Sequence, residues 1–267
     1  MNKLSIITIN YNNVDGLEKT IQSVVSQTFG NFEYIVIDGD SNDGSKNIIQ
    51  KYADKITYWV SEKDSGIYNA QNKGIKQAKG EYCLFLNSGD TLYENDIINK
   101  VFSSDYSQDI LYGELIFEFG NENFQIKKLP DKLSIYYLFH DNIWHPASFI
   151  KRELFNRIGL YNEKYQIASD YDFFFNAIII NKASTVYIPF PIAFYDTSGI
   201  SSNSLNFQKI NIERNSIHHT YLCKEEIIYL NNLKKIKNEK IARWLVNKPY
   251  MTKFFNRLLK IYLRMKF

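Results

Sequence analysis

VSEKDSGIYNAQNKGIKQAKGEYCLFLNSGD, residues 60–90, is the stretch on which the fold of this chain turns. An acidic, glycine-bearing turn leads into a short amphipathic segment, then an apolar run, then a polar tip. Tyr82 to Leu86 reads as a buried strand, and Asn87, Ser88, Gly89 and Asp90 follow where its carboxyl end emerges into a crevice of an α/β sheet. Asp90 is therefore a candidate for holding a metal or a phosphate. The plain alternative is a polar turn before a helix beginning near Asn95.

The residues before it repeat the pattern. Leu4 to Ile9 and Phe32 to Ile37 are apolar runs, and Leu17, Ile21, Val24 and Val25 recur between them at helical spacing, giving strand, helix, strand. The second run ends at Asp38 in IDGDSNDGS. Asp43-Gly44-Ser45 opens another helix through about Tyr52, and Ile56 to Val60 supplies a third strand leading to the Asp64 turn. Parallel strands joined by right-handed crossovers bring their tips to one sheet edge. Thr8 and Asn10, Asp38, Asp64, and Asn87 with Asp90 are expected to meet there, with Asp170 joining them around one hollow.

SIITINYNN, IDGDSNDGS, SEKDSGIYNAQNKGI, FLNSGD and ASDYDFFF, in this order, resemble glycosyltransferase family 2, the inverting nucleotide-sugar transferases of GT-A fold. The bacterial surface-polysaccharide branch is the nearest likeness. The resemblance covers roughly residues 1 to 200. It implies an α/β, mostly parallel sheet flanked by helices over 1–203, followed by a helical extension over 204–267.

The resemblance also implies roles. Thr8, Asn10 and Asp38 match positions that hold base and ribose, whose N–H and O–H groups suit amide and carboxylate acceptors. Asp64 completes that pocket, and Asn87 and Ser88 fall against the nucleotide sugar. Asp90 matches the metal motif, in which Mg²⁺ or Mn²⁺ bridges one or two carboxylates and the diphosphate. The family's usual tip is Asp-x-Asp, whereas this chain carries Asn87 and Gly89 at the first and third places. Asp170 matches the catalytic aspartate that takes the acceptor hydroxyl's proton. Asp172 is the second choice for that base, and capping of a helix running to about Asn181 by Ser169 or Asp170 is the structural alternative. Ile143 to Ser148 resembles a short His-containing strand, with His145 and Trp144 lining an acceptor or donor-sugar pocket. Asp196 to Ser202 resembles a mobile lid, with Gly199 and Ser201 closing over the donor phosphates. An ordinary surface loop is the alternative there.

Composition bounds the rest. With 267 residues, 45% hydrophobic and 16% aromatic, the chain is large enough for one α/β core with an appended tail. Two cysteines, Cys83 and Cys223, and an amino terminus without a secretory pattern point to a reducing cytoplasm. No apolar run reaches membrane-spanning length. The motifs GxxxxGK and GxGxxG are absent, which argues against an ATPase and a dinucleotide dehydrogenase. Residues 231–267 hold 11 Lys or Arg against Glu239 alone, a net of about +10 that leaves the body near −7. After Pro249, Met251, Phe254, Phe255, Leu258, Leu259 and Tyr262 share one helical face, with Lys253, Arg257, Lys260 and Arg264 opposite. Such a helix suits an anionic lipid surface, packing on the body or on a second subunit being the alternative. No nucleic-acid-binding motif is present. The expected protein is a peripheral, cytoplasmic-face enzyme moving a sugar, from a UDP-sugar, to a lipid-linked or oligosaccharide acceptor in O-antigen (lipopolysaccharide), capsule or exopolysaccharide synthesis. A sugar-nucleotide nucleotidyltransferase and a non-catalytic nucleotide-sugar-binding module are the competing classes.

Overall fold

The computed structural model describes residues 2–118, 124–200 and 202–238. Ser201 and the basic amphipathic segment after Pro249 lie outside them. The chain divides into two compact units, residues 1–217 and 218–267. The first therefore extends past residue 203, for a reason given by Glu213 below.

Strand β1 (Leu4–Asn10) pairs in parallel with β2 (Phe32–Asp38) and β4 (Tyr82–Phe85), and β2 with β3 (Tyr58–Ser61). Helices α1 (Val14–Val25), α2 (Ser45–Lys51) and α3 (Ile67–Gln77) are the crossovers. All seven residues of β1 are buried because both sheet faces are covered. Leu4 and Ile6 join Leu17, Ile21 and Val24 of α1 and Ile49 of α2 in one core cluster. Ile7 points the other way, where the bare Cα of Gly74 lets α3 approach so closely that a Cβ would collide with it. Ile56 and Thr57 stand outside β3, which begins two residues later than its apolar run indicates.

Beyond β4 the sheet becomes mixed. A short β5 (Thr91–Leu92) and α4 (Ile97–Val101) lead to the long β6 (Ile110–Glu118), which pairs antiparallel with β7 (Phe124–Lys127) and β8 (Ser148–Lys151). After α5 (Ile135–His140), α6 (Arg152–Ile158) and α7 (Ser169–Phe175), strand β9 (Thr185–Asp196) returns parallel to β6. The main path runs β3-β2-β1-β4-β8-β6-β9-β5. Parallel order thus holds in the amino-terminal half, where every connection is a helix. In the other half β6 and β7 form a hairpin, β8 runs antiparallel to β4 and β6, and β9 runs parallel to β6 but antiparallel to β5.

Two local elements differ from the sequence reading. His145–Ala147 is a 3₁₀ turn, and strand begins only at Ser148, because Pro146 lacks the N–H a ladder needs. Helix α7 stops at Phe175 and continues as a single π turn, Asn176–Ile180. Its aromatic residues hold it in place: Phe173 stacks on Phe155 at 4.6 Å, and Phe174 and Phe175 are fully buried, each worth about 2 kcal/mol.

Helix α8 (Phe207–Tyr221) is followed by α9 (Lys224–Asn238). From α8, Glu213 reaches the turn before α7 and accepts backbone N–H bonds from Gln166, Ile167 and Ala168 at 2.8, 3.0 and 2.9 Å. Three backbone donors of the turn leading into α7, the last at its N-cap Ala168, are satisfied by one buried carboxylate. Glu213→Ala leaves them unpaired. The expected cost is about 3 kcal/mol, read as a lower urea midpoint with unchanged m-value.

Candidate active site

Asn10 and Asp38 face each other at the tips of β1 and β2. Asp38 is fully buried and accepts four hydrogen bonds: from Asn10 Nδ2 at 2.7 Å, Ser41 Oγ at 2.6 Å, Ser41 N at 3.0 Å and Ser61 Oγ at 2.7 Å. Burial raises its pKa, but those donors outweigh burial and the carboxyl sits below its ordinary value. It is the hub of the tip rather than an open ligand. Asn10 Oδ1 is buried and meets no hydrogen-bonding partner among the described residues. Thr8 is enclosed with its hydroxyl 3.0 Å from Tyr34 Oη, on the face covered by α1 and α2. Two positions along from Asn10 on the same strand, it lies inside the sheet and not at its edge.

Asp64 is half-buried, accepts from Gly66 N at 2.9 Å, and sets its other oxygen against the Cα of Gly39. A Cβ at Gly39 would meet Asp64 Oδ2 at 2.6 Å and the ring of Tyr11 at 3.1 Å. Tyr11 is 67% exposed. The pattern reading missed this open aromatic face because YNN reads as loop, although a large exposed aromatic between two polar tips is itself a recognition signal.

A cavity of about 310 Å³ lies beyond the β4 tip, lined by Asn87, Ser88, Asp90, His145, Asp170 and Asp196 among others. Asp38 is not part of its lining. Of the three aspartates expected around one hollow, the structure brings Asp90 and Asp170 together and leaves Asp38 two strands away.

Asp90 is 3% exposed and accepts from Asn87 N at 3.2 Å and Asp196 N at 3.1 Å. Its turn is pinned by Thr20 of α1, which donates to the Asp90 carbonyl at 2.7 Å and accepts from Gly89 N at 2.9 Å. Gly89 has φ +110°, and any Cβ there would strike the Asp196 carboxylate. The glycine in the usual third place of the motif thus makes room for an aspartate from the distant strand β9. Burial pushes the Asp90 carboxyl up to about 7; nearby His145 and the two backbone donors pull against this, and Asp196 adds to it. An acid raised by burial and a neighbouring carboxylate suits a divalent cation completed by phosphate oxygens. Among the described residues no three His, Cys, Asp or Glu side chains form a cage of their own.

Asp170 opens α7. Neither it nor Ser169 caps the helix, since the N-cap is Ala168 with no side-chain bond and Ser169 Oγ is buried without a partner among the described residues. Its Oδ2 is 3.1 Å from His145 Nδ1, and its Oδ1 accepts from Tyr171 N at 2.8 Å and lies 3.2 Å from Tyr68 Oη. Burial, and next the charge of Asp170, push the Tyr68 phenol up, so it stays a donor. Asp172 is buried at 8% and lies outside the lining of the cavity, as its helical offset from Asp170 requires. Ser198, Gly199 and Ile200 of the loop after β9 also line the cavity. Tyr68 and Asn13 were missed by pattern, reading as ordinary helix and cap residues, and Asp196, read as the start of the lid segment, was not expected beside Asp90.

A second cavity of about 310 Å³ shares Asp170 and His145 and is walled by Phe117, Trp144, Tyr171 and Tyr195, with Lys127 and Arg214 at its margin. Phe117 packs edge-on against Trp144 at 5.5 Å and Tyr195 at 5.3 Å. Aromatic walls of this kind pack against the C–H faces of sugars.

A mixed sheet with these carboxylates at its tips is the GT-A architecture of nucleotide-sugar transferases. Residues 5–159 match the family Glycosyl transferase family 2, and the chain belongs to that family. It is 32% identical over 207 residues to a PGL/p-HBAD biosynthesis glycosyltransferase of Mycobacterium bovis, covering 75% of this chain and 79% of that protein. Among solved structures it resembles residues 1–349 of Staphylococcus aureus TarS in complex with UDP, with TM-score 0.64, 19% identity, and coverage of 93% and 75% of the two chains. It spans 45% of the longer TarS chain. A mannosyltransferase of Pyrobaculum calidifontis, in complex with GDP-Man and Mn²⁺, superposes with TM-score 0.56 at 13% identity, covering 94% and 85% of the two chains.

Proposed function

We propose that this chain transfers a sugar from a nucleotide sugar, a UDP-sugar in our reading, to a hydroxyl of a lipid-linked or oligosaccharide acceptor in bacterial surface-polysaccharide synthesis, with inversion at the anomeric carbon. The observation that carries this is one cavity lined by both Asp90 and Asp170. The nucleoside lies against Asn10, Asp64 and Tyr11, the unpartnered Asn10 oxygen accepting from the base and Tyr11 stacking on it. Asp38 shapes this pocket through the residues it binds. Asp90, with Asp196 beside it, would hold Mg²⁺ or Mn²⁺ together with the diphosphate, and the bound cation would supply stabilisation of charge on the departing nucleoside diphosphate.

Asp170 accepts the proton of the acceptor hydroxyl as its oxygen attacks the anomeric carbon opposite the diphosphate, and this single displacement inverts the centre. The acceptor approaches through the aromatic cavity, because that cavity shares Asp170 and offers Trp144 and Tyr195 to a sugar ring. The loop through Gly199 and Ser201 closes over the phosphates and keeps water from the donor. A lipid-carried acceptor accords with the basic segment after Pro249, which would lie on the inner membrane surface. No helix among the described residues is long and apolar enough to cross a membrane.

The test mixes UDP-, GDP- and dTDP-sugars with lipid-linked acceptors and follows release of free nucleoside diphosphate, with the product anomer read by NMR. Acceptor-dependent release with inversion is the expected result. Binding of a donor with no release from any pair would make the chain a recognition module, and pyrophosphate release would make it a nucleotidyltransferase.

A further inference from the structure

A chain of side chains runs from the buried Gln71 of α3 to Asp170. Gln71 Nε2 donates to Asn87 Oδ1 at 3.3 Å, which turns the Asn87 amide nitrogen towards His145 Nε2, 3.2 Å away. On the far side of the ring, His145 Nδ1 stands 3.1 Å from Asp170 Oδ2. An amide nitrogen only donates, so Nε2 must present its lone pair, and the ring hydrogen is left on Nδ1, facing the Asp170 carboxylate. The ring cannot rotate freely, since both it and the Asp170 side chain are 13% exposed. The Tyr171 N–H fixes the other oxygen of Asp170, and Tyr68 Oη, which donates to the Ile167 carbonyl at 2.6 Å, stands 3.2 Å from it.

We infer that Asn87 is a positioning residue: it selects the Nδ1–H tautomer of His145, and His145 then holds Asp170 in the orientation from which it receives the acceptor's proton. This rests on the proposed role of Asp170 and reassigns Asn87 from donor contact to control of the base. The asparagine is therefore no diluted remnant of an acidic motif. A carboxylate in place of this amide has only acceptor oxygens, so it would compete with Asp170 for the ring's hydrogen or draw a second proton onto Nε2, and His145 would no longer be a neutral donor given to Asp170 alone. Restoring the family's usual residue is expected to harm the enzyme.

The experiment compares Asn87→Asp, His145→Asn and His145→Ala with the unsubstituted chain, measuring kcat and the donor KM, together with the ¹⁵N signals of labelled imidazoles assigned by loss of His145. Asn87→Asp is expected to lower kcat about 10–100-fold, the usual range for loss of an orienting partner, with donor KM unchanged. The wild-type ring should show the Nδ1–H tautomer, and the Asn87→Asp variant a hydrogen on Nε2. His145→Asn, whose amide nitrogen mimics Nδ1, should retain about tenfold more kcat than His145→Ala. An Nε2–H tautomer in the wild type, equal loss in the two His145 variants, or undiminished kcat in Asn87→Asp would each overturn the inference. The NMR readout needs no turnover, so it is separable from failure of the Asp170 assignment, which Asp170→Asn tests directly.

Discussion

Replacing Asp170 by Asn is expected to lower kcat by about 10³-fold, within the 10²–10⁴-fold range that a positioned base contributes, while the donor KM stays close to that of the wild type. Asparagine fills the same space and can still accept from Tyr171 N and Tyr68 Oη, so the turn at the start of α7 should keep its shape. What it cannot do is take a proton. A fall in kcat and kcat/KM together, with KM unmoved, marks a group that acts only in the transition state. Nucleoside diphosphate release at saturating acceptor is the measurement, with circular dichroism to confirm folding. Undiminished transfer would remove Asp170 from the chemistry. Asp172, buried outside the cavity, is not positioned to replace it.

The second large effect is expected at Asp90. Its carboxyl is raised to about 7 by burial in the first place, and a raised acid binds its proton more tightly in the folded than in the unfolded chain. Stability from this group is therefore fully present below the ordinary carboxylate value near 4 and is lost as pH rises towards about 7. The loss is on the order of 4 kcal/mol for a shift of this size. Above pH 7 the contribution is flat. Thermal unfolding across pH 4 to 8 in chelator should show this decline, and Asp90→Asn, which carries no titrating proton, should flatten it. Mn²⁺ or Mg²⁺ with nucleoside diphosphate should restore stability at pH 7.5 in the wild type and not in the variant, because only an ionised carboxylate holds the cation. Turnover of Asp90→Asn should fall about 10²-fold or more. Full turnover in metal-free buffer, together with an unchanged pH profile of stability, would show that Asp90 serves the turn alone.

Much of the first ninety residues was legible because local rules and tertiary structure agree there. Apolar runs became β1, β2 and β4, the 3.6-residue spacing of Leu17, Ile21 and Val24 became the buried face of α1, and right-handed crossovers set parallel order. Pattern could not tell how far from a strand's tip a polar residue is already enclosed when both sheet faces are covered. Thr8 was thus expected at the edge and lies inside the sheet against Tyr34. His145-Pro146-Ala147 was read as strand, but proline's missing N–H makes it a turn, and that turn is what aims the imidazole at Asp170. Asp196 and Glu213 act on groups 106 and 45 or more positions away in the chain. Nothing local marks such partners, since a strand-end aspartate and a mid-helix glutamate are commonplace.

The bond between Glu213 and the three amides before Asp170 carries a practical lesson about where this protein can be cut. A fragment ending where the resemblance fades, near residue 200, would keep intact the pocket of Asn10, Asp38 and Asp64 that we propose takes the nucleotide. It would nonetheless loosen the turn that presents Asp170. Such a fragment would be a competent receptor and a poor catalyst, and the carboxylate that separates the two belongs to a helix the family's own signature never reaches.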